Sequence, residues 1–307
     1  MRLIFMATGD IALPAFRRLL ERGPRPLALV TQPDKPVGRH LTLMAPTIKL
    51  DALKAGIPVL QPVVVGDVAA ELAALEPDVI VVMAYGQILR QNVLTIPRLA
   101  IINLHASLLP RHRGASCIQA AIAAGDARTG ITAMHMIGKL DAGDVIHAKS
   151  LKIEDHDTGG SLHERLAELA PEVLLETLKR IAAGTSGRNP QDETLATYAP
   201  KLERDAGRID WSLDAATLAR QVRAYDPWPG SFTLINEGGQ HRRLKVFPPV
   251  AACDEALEPR AVRAHEGQLL VGCGAGTLRI CEVQPEGSRR MKTDDYLRGR
   301  QPGEVEG

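Results

Sequence analysis

The chain has 307 residues, 45% hydrophobic and 24% charged, more than one core accommodates comfortably, and the length predicts two domains. Lys plus Arg number 37 against 36 Asp plus Glu, a formal charge of +1, so the overall balance excludes a grossly basic nucleic-acid binder while leaving local patches open. Four cysteines without a CxxC pair, an opening MRLIFMA too short for a signal core, and no run near the roughly 20 apolar residues of a membrane span predict a reduced, cytoplasmic protein without a membrane anchor.

In the first half, short apolar runs alternate with amphipathic stretches of helical length, the pattern of parallel strands joined by crossover helices. Strands are expected at 2–6, 27–31, 58–60, 78–83 and 100–104, with helices near 11–22, 46–55, 68–75 and 115–124. The run DVIVVMAYG is almost wholly apolar, as a central strand buried on both faces requires. TGITAMHMI and GDVIHAKSLKI, separated by the turn-rich GKLDAGD, then predict a hairpin at the end of the sheet. Leu162, Leu166, Leu169, Val173, Leu174 and Leu178 lie close to helical spacing within 158–183, a long closing helix. The Gly-, Pro- and charge-rich stretch 184–207 reads as a crossing between cores. Beyond it SFTLI, RRLKVFP, QLLVGC and TLRICEV, separated by glycines, predict a small antiparallel barrel. The expected division is an α/β domain over 1–189, a linker over 190–206 and a barrel over 207–307.

Candidate chemistry narrows quickly. The first turn, MATGDIALP, holds one glycine, Gly9, where a dinucleotide fingerprint needs three, so the turn argues against NAD. His105 with His112, or His135 with His147, lack the short spacings that put two imidazoles on one face, and no metal is expected. Cys117 has no base near it in sequence and reads as a small packed residue. Asn103 and His105 differ, because residues two apart at a strand end project to the same side. Taken alone, such a pair is more often a hydrogen-bonded loop cap. The crevice beyond the carboxyl ends of parallel strands is, however, where ligands bind, and Asp141 in LDAGD stands at a turn that could fold back to it. Asn, His and Asp around one crevice suit acyl transfer without a covalent nucleophile: an oxyanion donor, a proton carrier and an orienting carboxylate.

NLHASLLPRHRGAS followed by GITAMHMIGKLDAGDVI resembles the catalytic signature of the 10-formyltetrahydrofolate-dependent formyltransferases. The resemblance implies a Rossmann-like formyltransferase domain with a mostly parallel sheet, followed by a small OB-like β-barrel. It implies Asn103, His105 and Asp141 as catalytic, Ser107, Leu108, Leu109 and Pro110 as folate-binding, 10-formyltetrahydrofolate as donor, and no metal. TQPDKPVGRHL, TYAPKLERDAGRIDW, RAYDPWPGSF and VQPEGSRRMKTDDYLRG look like segments of the branch that formylates methionyl initiator tRNA. That branch implies Arg39 at the acceptor stem, a tRNA-gripping second domain with HRRLK (241–245) and SRRMK (288–292) as its basic clusters, and a cytoplasmic monomer. A sugar-nucleotide N-formyltransferase using the same donor is the alternative. Two segments depart from the family pattern. Ala7, Thr8, Gly9, Asp10 and Ile11 stand where GTPDF is usual, and Ala115, Ser116, Cys117, Ile118 and Gln119 where AAPIQ is usual. Arg111 and Arg113 receive no role from the sequence.

Overall fold

A computed structural model describes residues 1–37 and 42–306. The chain forms two compact units, one of residues 1–114, 129–151 and 163–199, the other of 115–128, 152–162 and 200–307.

The first unit is built on a seven-stranded sheet. β1 (Leu3–Ala7) is buried along its whole length, as LIFMA demands, and leads through a 3-10 turn into α1 (Leu13–Arg22), which has a proline in its first turn where a missing N–H costs nothing. β2 (Pro26–Val30) is followed by a short antiparallel pair, β3 (Lys35–Val37) and β4 (Thr42–Met44), then α2 (Thr47–Lys54) and β5 (Val59–Leu60). α3 (Ala69–Ala74), β6 (Val79–Met83), α4 (Gln91–Leu94) and β7 (Ala100–His105) continue the alternation. α5 (Cys117–Ala123) belongs to the second unit, and β8 (Arg128–His135) and β9 (Val145–Lys152) complete the sheet. α6 (Gly159–Ala182) follows.

Strand order is β5-β2-β1-β6-β7-β8-β9. The pairs β1–β2, β1–β6, β2–β5 and β6–β7 are parallel, and β7–β8 is antiparallel. The five expected strands and the closing hairpin are therefore present, with ends displaced by a residue or two. Order runs outward from β1 in both directions, so β1 and β6 flank a topological switch point, the position at which open α/β sheets form their ligand crevice. There the backbone N–H groups of Thr8 and Gly9 both donate to the carbonyl of Ala84, at 3.2 and 3.1 Å.

In the second unit, α7 (Ala215–Ala224) precedes a sheet of β10 (Ser231–Glu237), β11 (Gln240–Cys253), β12 (Val262–His265), β13 (Gln268–Gly272), β14 (Thr277–Pro285), β15 (Met291–Lys292) and, after α8 (Thr293–Leu297), β16 (Pro302–Val305). The main path is β12-β13-β14-β11-β10-β16, and β15 pairs with β14. Val305 N–H donates to the Arg260 carbonyl at 3.2 Å, bringing the last strand back beside the approach to β12, so the antiparallel barrel is nearly closed. Its core gathers Trp211, Leu218, Val222, Val246, Leu278 and Val283. Trp211 Nε1 donates to Thr233 Oγ1 at 2.9 Å, which satisfies the indole's single polar group inside that core.

Candidate active site

Asn103 and His105 lie at the carboxyl end of β7, and the pleat sends both to one side. Asp141 reaches them from the β8–β9 connection, in the left-handed region at φ +45°. Its carboxylate meets both: Oδ1 accepts from Asn103 Nδ2 at 3.4 Å, and Oδ2 lies 3.6 Å from His105 Nδ1. The sequence placed these three residues around one crevice, and the structure brings them together within one unit.

The segment after β7 supplies two more contacts. The carbonyl of His112 takes the Nε2–H of His105 at 2.9 Å, which fixes that proton's position because a carbonyl can only accept. The N–H of Gly114 donates to Asp141 Oδ2 at 2.8 Å. Gly114 has φ +109°, and a Cβ there would lie 2.6 Å from the Ala199 carbonyl oxygen, so only glycine lets the backbone reach the carboxylate.

Between those residues, Arg113 is completely buried. Its Nη2 and Nε donate to Gln191 Oε1 at 2.8 and 3.1 Å, and Nη2 and Nη1 donate to Glu193 Oε1 and Oε2 at 2.8 and 3.2 Å. Its backbone joins the same stretch, donating to Thr197 O at 2.8 Å and accepting from Ala199 N at 2.7 Å. Gln191 Nε2 donates onward to the carbonyls of Asp141 and Gly143, at 2.9 and 2.8 Å. Lys139 Nζ also reaches Glu193, at 2.6 Å. These bonds hold the Glu193 carboxyl down at about 2, the Arg113 hydrogen bond being the larger cause and Lys139 the next. The sequence reading missed this cluster. Its only trace was an arginine without a role and a polar QDE run inside an expected linker.

Ser107 is buried, and its hydroxyl donates to the Arg111 carbonyl at 2.6 Å. Thr132 Oγ1 donates to the Ser107 carbonyl at 2.6 Å and accepts from Leu109 N at 3.2 Å, pinning the turn to β8. Leu108, Leu109 and Pro110 stand half-exposed beyond it. Of the departures, Gly9 packs close to Ala84, Ser116 Oγ accepts from Leu202 N at 3.1 Å, and Cys117 is a buried free thiol. Arg39 lies outside the described residues. Among the described residues no three His, Cys, Asp or Glu side chains converge as a metal site, and no helix is long and apolar enough to cross a membrane.

A formyl transferase model matches residues 1–178, and a formyl transferase C-terminal domain model matches 201–301. The chain belongs to the formyl transferase family. Within that family it groups with proteins named methionyl-tRNA formyltransferase: that of Akkermansia muciniphila is 52% identical over 97% of this chain and 96% of its own length, and that of Geobacter metallireducens 44% identical over 97% and 95%. Solved structures agree on the fold. A methionyl-tRNA formyltransferase from Clostridium thermocellum superposes with TM-score 0.55 at 15% identity, covering 91% of this chain and 98% of that one. An N-formyltransferase from Helicobacter canadensis, solved with folinic acid and dTDP-3-aminofucose, gives 0.69 at 15% identity, covering 95% and 100%.

Proposed function

We propose that this chain transfers the formyl group of 10-formyltetrahydrofolate to the α-amino group of methionyl initiator tRNA, giving N-formylmethionyl-tRNA. Residues 1–189 would carry the chemistry and 207–307 much of the tRNA grip, with 190–206 between them. The observation that supports the chemistry best is the Asp141 carboxylate lying between Asn103 and His105. The acceptor reading rests on nearly full-length identity of 52% and 44% to enzymes named for methionyl-tRNA, and the sugar reading is the weaker one.

An α-amino group with a pKa of roughly 7.7–8.0 keeps on the order of a tenth of its population as free amine at pH 7, and more as pH rises, so a nucleophile is present without a strong base. The amine nitrogen bonds to the formyl carbon, the carbonyl oxygen gains negative charge, and collapse breaks the bond to N10 as the amine proton passes to that nitrogen. Asn103 is assigned as the hydrogen-bond donor to the oxyanion and protonated His105 as the positive charge beside it. With Nε2–H donated to His112, a second proton on the ring sits on Nδ1, facing Asp141 Oδ2 at 3.6 Å, so the imidazolium has its counter-charge in place. Asp141 fixes the His and a water that relays the amine proton. Ser107, Leu108, Leu109 and Pro110 are assigned to the folate, and Arg39 to the acceptor stem.

Loss of one oxyanion donor typically costs about 2.7–4 kcal/mol of transition-state stabilisation. His105→Ala and Asn103→Ala are therefore expected to lower turnover by at least about a hundredfold while tRNA binding persists. The assay supplies 10-formyltetrahydrofolate with methionyl-tRNA, and a nucleotide-linked amino sugar as competing acceptor. Near-normal turnover of purified His105→Ala, or preference for the sugar, overturns the assignment.

A further inference from the structure

Asp141 is a non-glycine residue at φ +45°, in the left-handed region that an L side chain enters less readily than glycine. The side chain that holds its backbone is Gln191, whose Nε2 bonds the carbonyls of both Asp141 and Gly143. We infer that Gln191, locked by the buried Arg113, is a positioning residue that sets the orientation of Asp141 against His105.

Three observations carry this inference, which rests on the roles proposed above for Asn103, His105 and Asp141. First, the Gln191 amide has one permissible orientation. Oε1 takes two N–H groups from a guanidinium, and Nε2 faces two carbonyls, so a flipped amide would set donors against donors and acceptors against acceptors. Second, the guanidinium that fixes it is itself fixed, because its remaining donors go to Glu193 and the Tyr198 hydroxyl and its backbone is bonded on both sides to 197–199. Third, the residues flanking Arg113 are those that touch the site: the His112 carbonyl holds His105 Nε2, and the Gly114 N–H holds Asp141 Oδ2. The strand-end segment 112–114 and the turn 141–143 thus hang on one amide–guanidinium node. Lys139, on the same connection as Asp141, is tied to that node through Glu193. None of these side chains contacts the reacting atoms in the proposed chemistry. Their effect is on geometry, and an error of about 1 Å in a site can cost about a hundredfold in rate.

The tests use the full-length protein carrying Gln191→Glu and, separately, Gln191→Leu. The glutamate variant keeps size and the acceptor for Arg113 but removes the donor to Asp141 and Gly143; the leucine variant removes both. The expected result for each is a fall in kcat of at least about tenfold with KM for the formyl donor within about threefold, because orientation and not binding is lost. The pH profile of kcat and the His105 ring-proton titration, followed by NMR, are expected to shift by at least about half a unit as Asp141 moves. The NMR readout needs no turnover and keeps the test open for a poorly active variant. Wild-type kcat with an unmoved His105 titration in both variants overturns the inference. So does a fall in kcat that merely follows the fraction of folded protein while the pH profile stays in place. An inactive His105→Ala with normal Gln191 variants removes this inference alone, whereas an active His105→Ala removes the underlying site reading.

Discussion

Glu193 lies at the outer end of the Arg113 network, and its depressed carboxyl makes a prediction about pH. Its folded value of about 2 lies below the ordinary 4.5, so the stability it adds is fully present above 4.5 and is lost as pH falls through about 2. Glu193→Gln removes that contribution. The Tm gap between wild type and Glu193→Gln is therefore expected to be constant above 4.5 and to close steadily towards about 2, as thermal melts across that range would show. A gap that stays open at the acid end would mean that the network's stability does not depend on this charge. The same network marks the limit of sequence reading at this scale. Asn103, His105 and Asp141 were legible because strand alternation and a turn put a short list of polar residues at one crevice. Arg113 was not, since its partners lie 78 and 80 residues further along and no periodicity links them. The need of a buried guanidinium for a carboxylate becomes visible only once burial is known.

Whole elements were legible where one signal dominated. β1 and β6 are continuous apolar runs, and α6 repeats leucine at helical spacing over 24 residues, so each stood out without tertiary information. The segment RRLKVFP stops at Pro248, and proline has no N–H for a ladder. The structure instead shows a register shift between Phe247 and Val250, after which the strand resumes to Cys253. The irregularity absorbs the two prolines. α7 was missed although the signals were there: Asp214 accepts from Thr217 N at 2.8 Å as an N-cap, and Ala215, Leu218 and Val222 make one buried stripe. Leu218 is fully buried in the core of the second unit. Leu218→Ala is expected to cost about 2–5 kcal/mol of unfolding free energy, lost transfer energy plus the cavity left behind. Denaturant unfolding of the full chain measures it, and a loss under about 1 kcal/mol would mean that the helix adds little to that core.

Charge is the property of the whole molecule that bears most on a polyanionic acceptor. Residues 207–307 carry 14 Lys plus Arg against 14 Asp plus Glu, so attraction for tRNA must come from where the charges stand and not from their sum. The two basic clusters differ in this respect. Arg290, in the second, is bonded to Glu282 at 2.6 Å and lies over the Phe247 ring at 4.3 Å, so much of its charge is answered locally. In the first, Arg242 and Lys245 are exposed on β11, and Arg243 stacks on Phe232 at 3.6 Å. Arg243 and Lys245 line a concave surface of about 500 Å³ with Arg204, Trp228 and Gln284, which offers cations beside a stacking face. Each phosphate contact contributes nearly one unit to the slope of log affinity against log salt. Lys245→Ala is therefore expected to flatten that slope for methionyl-tRNA by about one unit, and Arg290→Ala by clearly less, because the Arg290 charge is already paired with Glu282. Binding titrations at several salt concentrations would show it. Equal slopes for wild type and Lys245→Ala would place the phosphate contacts elsewhere, and a larger change for Arg290→Ala would show that the ion pair with Glu282 opens when tRNA binds.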